Sequence, residues 1–331
     1  MKRLLFLVGL IFLLSCADEH GPSEHQIEIP SITEDEIVAP ATIDSIAILV
    51  LGTCQDGGSP HAGCEKDCCK DLFLNPDPER MVVSLGVIDP FLQERYMFEA
   101  TPDLPRQMAF LEHSTNFGFD EAPNGIFLTH AHIGHYAGLI HLGREAMNAK
   151  DVPVYVMPKM KTFLENNGPW EQLVSIDNIE LIPIEGGLET EVNEHLAVTP
   201  FLVPHRDEYS ETVGFKIQGP NKSAIFIPDI DKWEKWEKDI ILEIQSVDYA
   251  FLDATFYDEN ELKNRNMSEI PHPFVVESME KFADLPKTEK NKIIFIHLNH
   301  TNPLLDNQSE AYQYVLDKGF KIAKKGDVFH L

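Results

Sequence analysis

Short apolar runs alternate with amphipathic stretches along most of this chain. The apolar runs are rich in Val, Ile, Phe and Tyr, which is typical of buried β-strands. They cover residues 46–51, 81–88, 95–100, 125–129, 152–157, 196–203, 223–227, 248–252 and 292–297. Helical periodicity is found in residues 104–111, 138–148, 159–166, 233–244, 273–283 and 309–318. Strands that alternate with helices predict an α/β protein, in which sheets are covered by helices.

The first 44 residues do not share this pattern. Residues 1–15 combine Lys2 and Arg3 with an apolar run of 11 residues, which is typical of an export signal and too short for a membrane span. Residues 16–44 are acidic and contain three prolines, so we expect a flexible tether. Residues 45–331 show no internal linker and are expected to form one domain.

The end of the export signal resembles the lipobox of bacterial lipoproteins. Leu13, Leu14 and Ser15 precede Cys16, the residue that such a motif marks for lipidation. The resemblance implies an exported protein that is anchored by lipid to the bacterial cell envelope, and the absence of Asp directly after Cys16 favours the outer membrane. An ordinary cleaved signal peptide, with Cys16 there by chance, is the alternative.

Charge narrows the choice of partners. The 331 residues include 54 Asp and Glu but only 27 Lys and Arg, so the net charge is −27. An acidic surface repels phosphate backbones, which argues against nucleic acid as a partner. A small-molecule substrate is the remaining expectation, and the oligomeric state stays open.

Histidines form the strongest chemical signal in the chain. His130, His132 and His135 follow the apolar run 125–129. In an extended segment the first two side chains point to the same side, where their imidazoles can converge on one ion. Further candidate ligands or catalytic groups stand where other predicted strands end, namely His205, Asp229, Asp253, His297 and His300. Together they predict a metal site at the ends of several strands.

In order and spacing, these residues resemble the motifs of the metallo-β-lactamase superfamily. That resemblance implies an αββα sandwich, two β-sheets flanked by helices, with metal ions at one edge. It assigns one ion to His130, His132, His205 and Asp229, and a second ion to His135, Asp229 and His297. The superfamily places an Asp where this chain has Gly134, so the second ion lacks one ligand. Asp56 and Glu208 are candidates to replace that carboxylate, and Gly134→Asp is expected to restore it.

A more specific resemblance is to the pyrroloquinoline-quinone biosynthesis protein B branch. It rests on GTCQDGGSP at 52–60, HRDEYS at 205–210 and HLNHTNP at 297–303. The branch is linked to oxidative maturation of a peptide-derived quinone. Its members carry Asn at the position of His300, which makes His300 an additional candidate ligand here.

A cysteine cluster forms a second candidate site. Cys64, Cys68 and Cys69 lie close together, and Cys54 and His61 compete for a fourth position. Thiolates and an imidazole suit a structural zinc ion, which the resembling branch also holds in its Cys-rich loop. Disulfides are the alternative in an exported protein, and free thiols are a third outcome.

The leading functional hypothesis is a metal-dependent hydrolase in which a zinc-activated water attacks the substrate. Asp229 would bind the metal, and Asp253 would assist proton transfer or orient a ligand. Iron is the alternative metal, and with it an iron-dependent oxidase or hydroxylase. A non-catalytic metal-binding lipoprotein is the third hypothesis.

The anchor can be tested at Cys16. Wild-type protein is expected to fractionate with membranes and to begin at a lipid-modified Cys16, whereas Cys16→Ser should be released or keep its signal uncleaved. Mass spectrometry of the mature N-terminus and membrane fractionation measure this. Equal membrane partitioning of the two processed proteins would contradict the lipobox.

Overall fold

All nine predicted strands form, and they lie in two seven-stranded sheets with five further strands. The computed structural model describes residues 43–118, 122–262 and 266–331. The first sheet contains β1 (Ala47–Gly52), β2 (Ser84–Asp89), β3 (Glu94–Phe98), β4 (Gly125–Phe127), β5 (Val152–Val156), β6 (Ile179–Pro183) and β14 (Val328–His330). The second contains β7 (Thr190–Asn193), β8 (Leu196–Leu202), β9 (Val213–Gln218), β10 (Ser223–Ile227), β11 (Tyr249–Asp253), β12 (Ile293–Ile296) and β13 (Lys321–Ile322).

Each sheet is part antiparallel and part parallel. The strand orders are β14-β1-β2-β3-β4-β5-β6 and β13-β12-β11-β10-β9-β8-β7. Strands β3 to β6 run parallel to one another, as do β10 to β13. The carboxyl ends of neighbouring parallel strands meet at one edge of a sheet, and that edge is where ligands bind in such sheets.

The sheets pack face to face through a core of large aromatic side chains. Phe98 and Phe127 from the first sheet contact Phe215 from the second, with ring centroids 5.5 and 5.7 Å from it, and Phe226 lies 6.3 Å from Phe98. All four side chains are fully buried. Alternation along each strand sends neighbouring side chains to the opposite face, where helices cover them.

Helices cover the outer face of each sheet. Over the first lie α1 (Leu104–His113), α2 (Ile133–Tyr136), α3 (Pro158–Asn166) and α4 (Trp170–Ser175). The second is covered by α5 (Ile240–Gln245), α6 (Val275–Lys281) and α8 (Glu310–Asp317), while the short α7 (Lys287–Lys290) buries no side chain. The layer order is therefore αββα, as predicted.

One predicted helix is wrong, and another forms only in its second half. Residues 138–148 contain only the 3-10 turn Ala137–Leu142, followed by a loop. Residues 233–244 divide into the 3-10 turn Trp233–Lys235 and the helix α5, whose first turn is capped by the Asp239 side chain.

Trp233 and Trp236 explain the break. We expected a surface helix, but both indoles are buried. Trp233 Nε1 donates to Ser278 Oγ at 2.9 Å, and Trp236 Nε1 donates to the Leu202 carbonyl, also at 2.9 Å. The 3-10 turn ends at Lys235 and the backbone of Trp236 is extended, so the helix is interrupted where the two indoles are buried.

The packed chain begins earlier than residue 45, because Ile43 is buried and its backbone N–H donates to the Ser114 carbonyl. The predicted signal, Cys16 and most of the tether lie outside the described residues. Among the described residues, no helix combines the length and hydrophobicity that crossing a membrane requires.

The buried indole provides a test of this packing. Trp233→Ala should lower the free energy of unfolding by ~3–5 kcal/mol, because it leaves a cavity and an unpaired Ser278 hydroxyl. Leu242→Ala, on a side chain that is 62% exposed, should cost less than about 0.5 kcal/mol. Urea unfolding of both variants measures this, and equal losses would contradict the burial of Trp233.

Candidate metal centre

Asp229 lies at the centre of a group of imidazoles. It follows β10, and only 4% of its surface is exposed. Around its two carboxylate oxygens stand His205 Nε2 at 3.3 Å, His130 Nε2 at 3.5 Å, His135 Nε2 at 3.7 Å and His132 Nδ1 at 4.0 Å. Donor atoms bound to one tetrahedral zinc ion stand about 3.4 Å apart, so this spacing suits metal ligands.

Strand ends bring these residues together. The chain leaves β4 at Phe127 and passes through His130 to His132, which has an extended backbone and precedes α2 with its His135. Asp229 follows β10, and His297 follows β12 in a left-handed backbone conformation. These strands belong to parallel parts of the two sheets, and their carboxyl ends form one shared edge.

The donor atoms fall into three sets that share Asp229. In each set, one donor atom from every residue lies within 4.8 Å of the others. The first is His130, His132, His205 and Asp229, the second is His135, His297 and Asp229, and the third is His272, Asp253 and Asp229. The Nε2 atoms of His130, His135, His205 and His297 are buried, and none of them has a hydrogen-bond partner among the residues that the structure describes. Buried polar atoms without partners are costly, so these sets fit metal ions.

The opposite nitrogen of each ring faces a protein group that orients it. Partners of this kind set ring orientation and tautomer in metal sites. The pairs are His130 with Thr129 Oγ1 at 2.9 Å, His135 with Glu99 at 3.5 Å, His205 with Asp231 at 3.3 Å, and His297 with Thr255 Oγ1 at 2.8 Å.

Charge at the centre favours an ionised Asp229 beside a neutral His130. Burial opposes ionisation of Asp229, but His205 and His272 hold the pKa of that carboxyl well below its usual range. Burial lowers the pKa of His130 well below its ordinary value. A carboxylate and a neutral imidazole are the forms that bind metals.

His272 is a member of the centre that the sequence did not reveal. Its Nδ1 lies 2.9 Å from Asp253 Oδ2 and 3.1 Å from Asp229 Oδ1. Burial opposes its charge, but Asp253 and Asp229 outweigh that effect and raise the pKa of His272 to about 10. His272 stands in an irregular segment between Pro271 and Pro273, far from any predicted strand end, so strand-end reasoning did not identify it.

Asp253 supports His272 and is held by the backbone. Its carboxylate accepts hydrogen bonds from the N–H groups of Ile230 and Thr255, at 3.1 and 2.8 Å. Burial alone would raise the pKa of Asp253, but His272 lowers it to about 2. The predicted role of Asp253 in orientation or proton transfer is consistent with this position.

Gly134 is closely covered by Asp56. A Cβ added at Gly134 would lie 2.0 Å from Asp56 Cβ and 2.5 Å from Asp56 Cα. The expectation that Gly134→Asp simply restores a ligand is therefore wrong, because the new side chain would collide with the Asp56 backbone. Glu208, the other candidate carboxylate, lies 3.3 Å from His132 Nε2 and is largely exposed.

His300 lies with the cysteine cluster. Its expected place as an additional ligand of the Asp229 centre is corrected by this position. Cys64, Cys68, Cys69 and His300 each place a donor atom within 4.8 Å of the others. Cys68 Sγ lies 3.9 Å from Cys64 Sγ and 3.8 Å from Cys69 Sγ, and all are free thiols. Burial, with His61 and Lys66 nearby, lowers the pKa of His300 to about 4, which keeps the ring neutral.

Cys54 and His61 are not part of this set of donor atoms. The Cys54 backbone forms β-bridges with Val82 and Leu298. Its side chain is buried, and burial raises the pKa of the thiol to about 12. His61 packs its ring against His300, with centroids 4.4 Å apart, and its backbone N–H donates to Cys69 Sγ. Neither Cys54 nor His61 therefore takes the predicted fourth position of the cluster. His300 stands there, more than 200 positions further along the chain.

Known proteins share this fold. Residues 94–298 match the β-lactamase superfamily domain. The chain is 25% identical over 306 residues to coenzyme PQQ synthesis protein B of Methylococcus capsulatus, covering 84% of this chain and 98% of that protein. Zinc-bound PqqB from Methylobacterium extorquens has a TM-score of 0.71 at 20% identity, covering 86% of this chain and all of that one. A diphosphatase of the PhnP family has a TM-score of 0.57 at 20% identity, covering 86% and 96%.

The four-residue thiol and imidazole cluster can be tested by zinc content. Cys68→Ser and His300→Ala should each lose one zinc ion per chain and lower Tm by roughly 4 °C or more, because structural zinc contributes to folding free energy. Elemental analysis and thermal melts measure both effects.

Cys54→Ala is the matched control and should keep the full zinc content, whatever its effect on packing. A full zinc content in Cys68→Ser, or a Cys64–Cys68 disulfide in protein isolated without reductant, would contradict the zinc assignment.

Proposed function

This chain belongs to the β-lactamase superfamily, and from that premise we propose that it is a metal-dependent hydrolase of a small molecule. The observation that carries the proposal is the convergence of buried, unpartnered imidazole nitrogens on Asp229. His130, His132 and His205 with Asp229 would hold the principal ion. His135 and His297, which share Asp229, would hold a second.

When bound, a divalent ion at this position would lower the pKa of water and polarise the bond that is attacked. The protein supplies the remaining parts of the reaction. Asp229 offers a negative charge to both ligand sets, and Thr129, Glu99, Asp231 and Thr255 orient the imidazole rings. Protonation of the leaving group then needs a side chain that carries a proton.

His272 is the candidate general acid. The Asp253 carboxylate beside Nδ1 favours the protonated imidazole, and 13% of the His272 side chain is exposed. Asp253 holds the ring at Nδ1 and acts as a positioning residue. A positioned imidazolium can protonate a leaving group as its bond breaks, a contribution worth about 10²–10⁴ in rate.

A groove beside the centre offers space for the substrate. Its volume is about 640 Å³, and its lining includes Phe201, Leu202 and Trp236 together with Lys159 and Lys235. Pro204 also lines the groove and directly precedes the ligand His205. A mixed apolar and charged lining suits a small organic substrate with a polar group at the metal.

The nature of the metal is part of the proposal. An all-nitrogen-and-oxygen donor set suits zinc and also iron, whereas the cluster of Cys64, Cys68, Cys69 and His300 suits zinc. We propose zinc at the Asp229 centre and zinc at the cysteine cluster. Iron with oxygen-dependent chemistry at the Asp229 centre is the outcome that would replace the first assignment. We propose as well that Cys16 anchors the protein to the cell envelope.

Variants of the two key histidines test hydrolysis. His132→Ala should abolish turnover of chromogenic phosphodiester, thioester and lactam probes and lower the metal content. His272→Gln should keep the metal but lower kcat by about 10²–10⁴. His113→Ala, at the exposed end of α1, is the matched control and should keep full activity.

Isotope labelling separates hydrolysis from oxidation. Product formed in ¹⁸O-labelled water should carry one labelled oxygen, whereas incorporation from ¹⁸O₂ would contradict hydrolysis. An unchanged rate in His132→Ala would also contradict it.

A further inference from the structure

We infer that Asp56 supplies the carboxylate of the second metal position, in place of the side chain that Gly134 lacks. This inference rests on the proposed metal centre and deepens it. It concerns the ion that His135, His297 and Asp229 would share. Asp56 belongs to the loop after β1, far in sequence from the histidine motif.

The first observation is that Asp56 occupies the space of the missing side chain. The Cβ of any residue at position 134 would lie 2.0 Å from Asp56 Cβ and 2.8 Å from the Asp56 backbone oxygen. Real Cβ atoms do not approach so closely, so only glycine fits at 134 while Asp56 keeps this position. The space that a side chain at position 134 would fill is therefore taken by Asp56, an acidic residue from another loop.

The second observation is that the Asp56 carboxylate has no competing partner. Within the described residues, no hydrogen bond or ion pair engages the Asp56 carboxylate, so it is available to a cation. Its oxygens stand outside the donor set that lies within 4.8 Å, so the side chain must turn toward His135 to bind.

The third observation is the way that the Asp56 loop is fixed beside His297. Gln55 N–H donates to the Leu298 carbonyl at 2.8 Å, and Leu298 N–H donates to the Thr53 carbonyl at 2.7 Å. These two bonds tie the residues before Asp56 to the residue after His297. Asp56 and His297 are therefore held in register across two loops.

Glu208 does not meet these conditions. It contacts His132, a ligand of the other set, and 52% of its side chain is exposed. A carboxylate on that side lies next to the principal ion, so Glu208 is the rival that an experiment must separate from Asp56.

Zinc titration of the metal-stripped full chain tests the inference. Asp56→Asn should weaken binding of one zinc ion by at least about 10–100-fold, the loss that removal of even an outer-shell partner causes, and should leave the other sites unchanged. Asp56→Glu, which keeps the carboxylate, should retain part of the affinity. Calorimetry and elemental analysis give the affinities and the number of ions, without reference to activity.

Two controls belong to this experiment. Glu65→Gln removes an exposed carboxylate from the same loop and should change nothing. Glu208→Gln should keep the second ion. Gly134→Ala, which adds no ligand, should weaken the second ion because it pushes Asp56 away.

Unchanged zinc binding in Asp56→Asn, or loss of the second ion in Glu208→Gln, would overturn the inference. So would a wild-type chain that binds only one zinc ion at the histidine centre, although a hydrolase with one ion would survive that result. Should Asp56→Asn fail to fold, anomalous scattering from zinc-soaked wild-type crystals decides. An ion at His135 and His297 must have an Asp56 oxygen within about 2.2 Å, and an ion there with Asp56 turned away would refute its role.

Discussion

Burial of the Asp229 carboxylate is the constraint on which the centre depends. Removing an ionised carboxylate from water is costly unless cationic partners and hydrogen bonds compensate. Here the surrounding groups are imidazoles from separate segments, and His205 and His272 lie nearest to the carboxylate oxygens, at 3.3 and 3.1 Å. Several strands must end at one edge to deliver those rings. The double sheet with parallel strands at its centre provides such an edge.

The two metal-ligand clusters share a structural frame. His297 and His300 stand three residues apart, one facing the Asp229 centre and the other facing the thiols. Between them Leu298 bridges to Cys54, which binds the loop after β1 to the loop after β12. A zinc ion among the cysteines would therefore stiffen the same loops that carry ligands of the reactive centre. The two candidate sites are therefore connected mechanically through these loops.

Membership of the superfamily explains the architecture and most of the ligand order, while the departures belong to this chain. A glycine within the histidine motif is unfavourable for two-metal chemistry when only the motif is considered. In the folded chain, the same glycine leaves room for the loop that carries Asp56. Ligand sets are thus better compared by position in three dimensions than by spacing along the chain.

The sequence by itself determined the nine apolar strands and the histidines at strand ends, because hydrophobic periodicity and extended backbone geometry are local properties. The αββα class was implied by the resemblance of the histidine motifs to the metallo-β-lactamase superfamily. Only the tertiary structure decided the positions of His272, His300 and the two buried indoles. His272 lies in an irregular segment, and the partners of His300 stand more than 200 residues away. The indoles broke a predicted helix because their hydrogen-bond partners lie on other elements. Such contacts depend on which distant segments meet, and that is set by the packing of the sheets rather than by any local pattern.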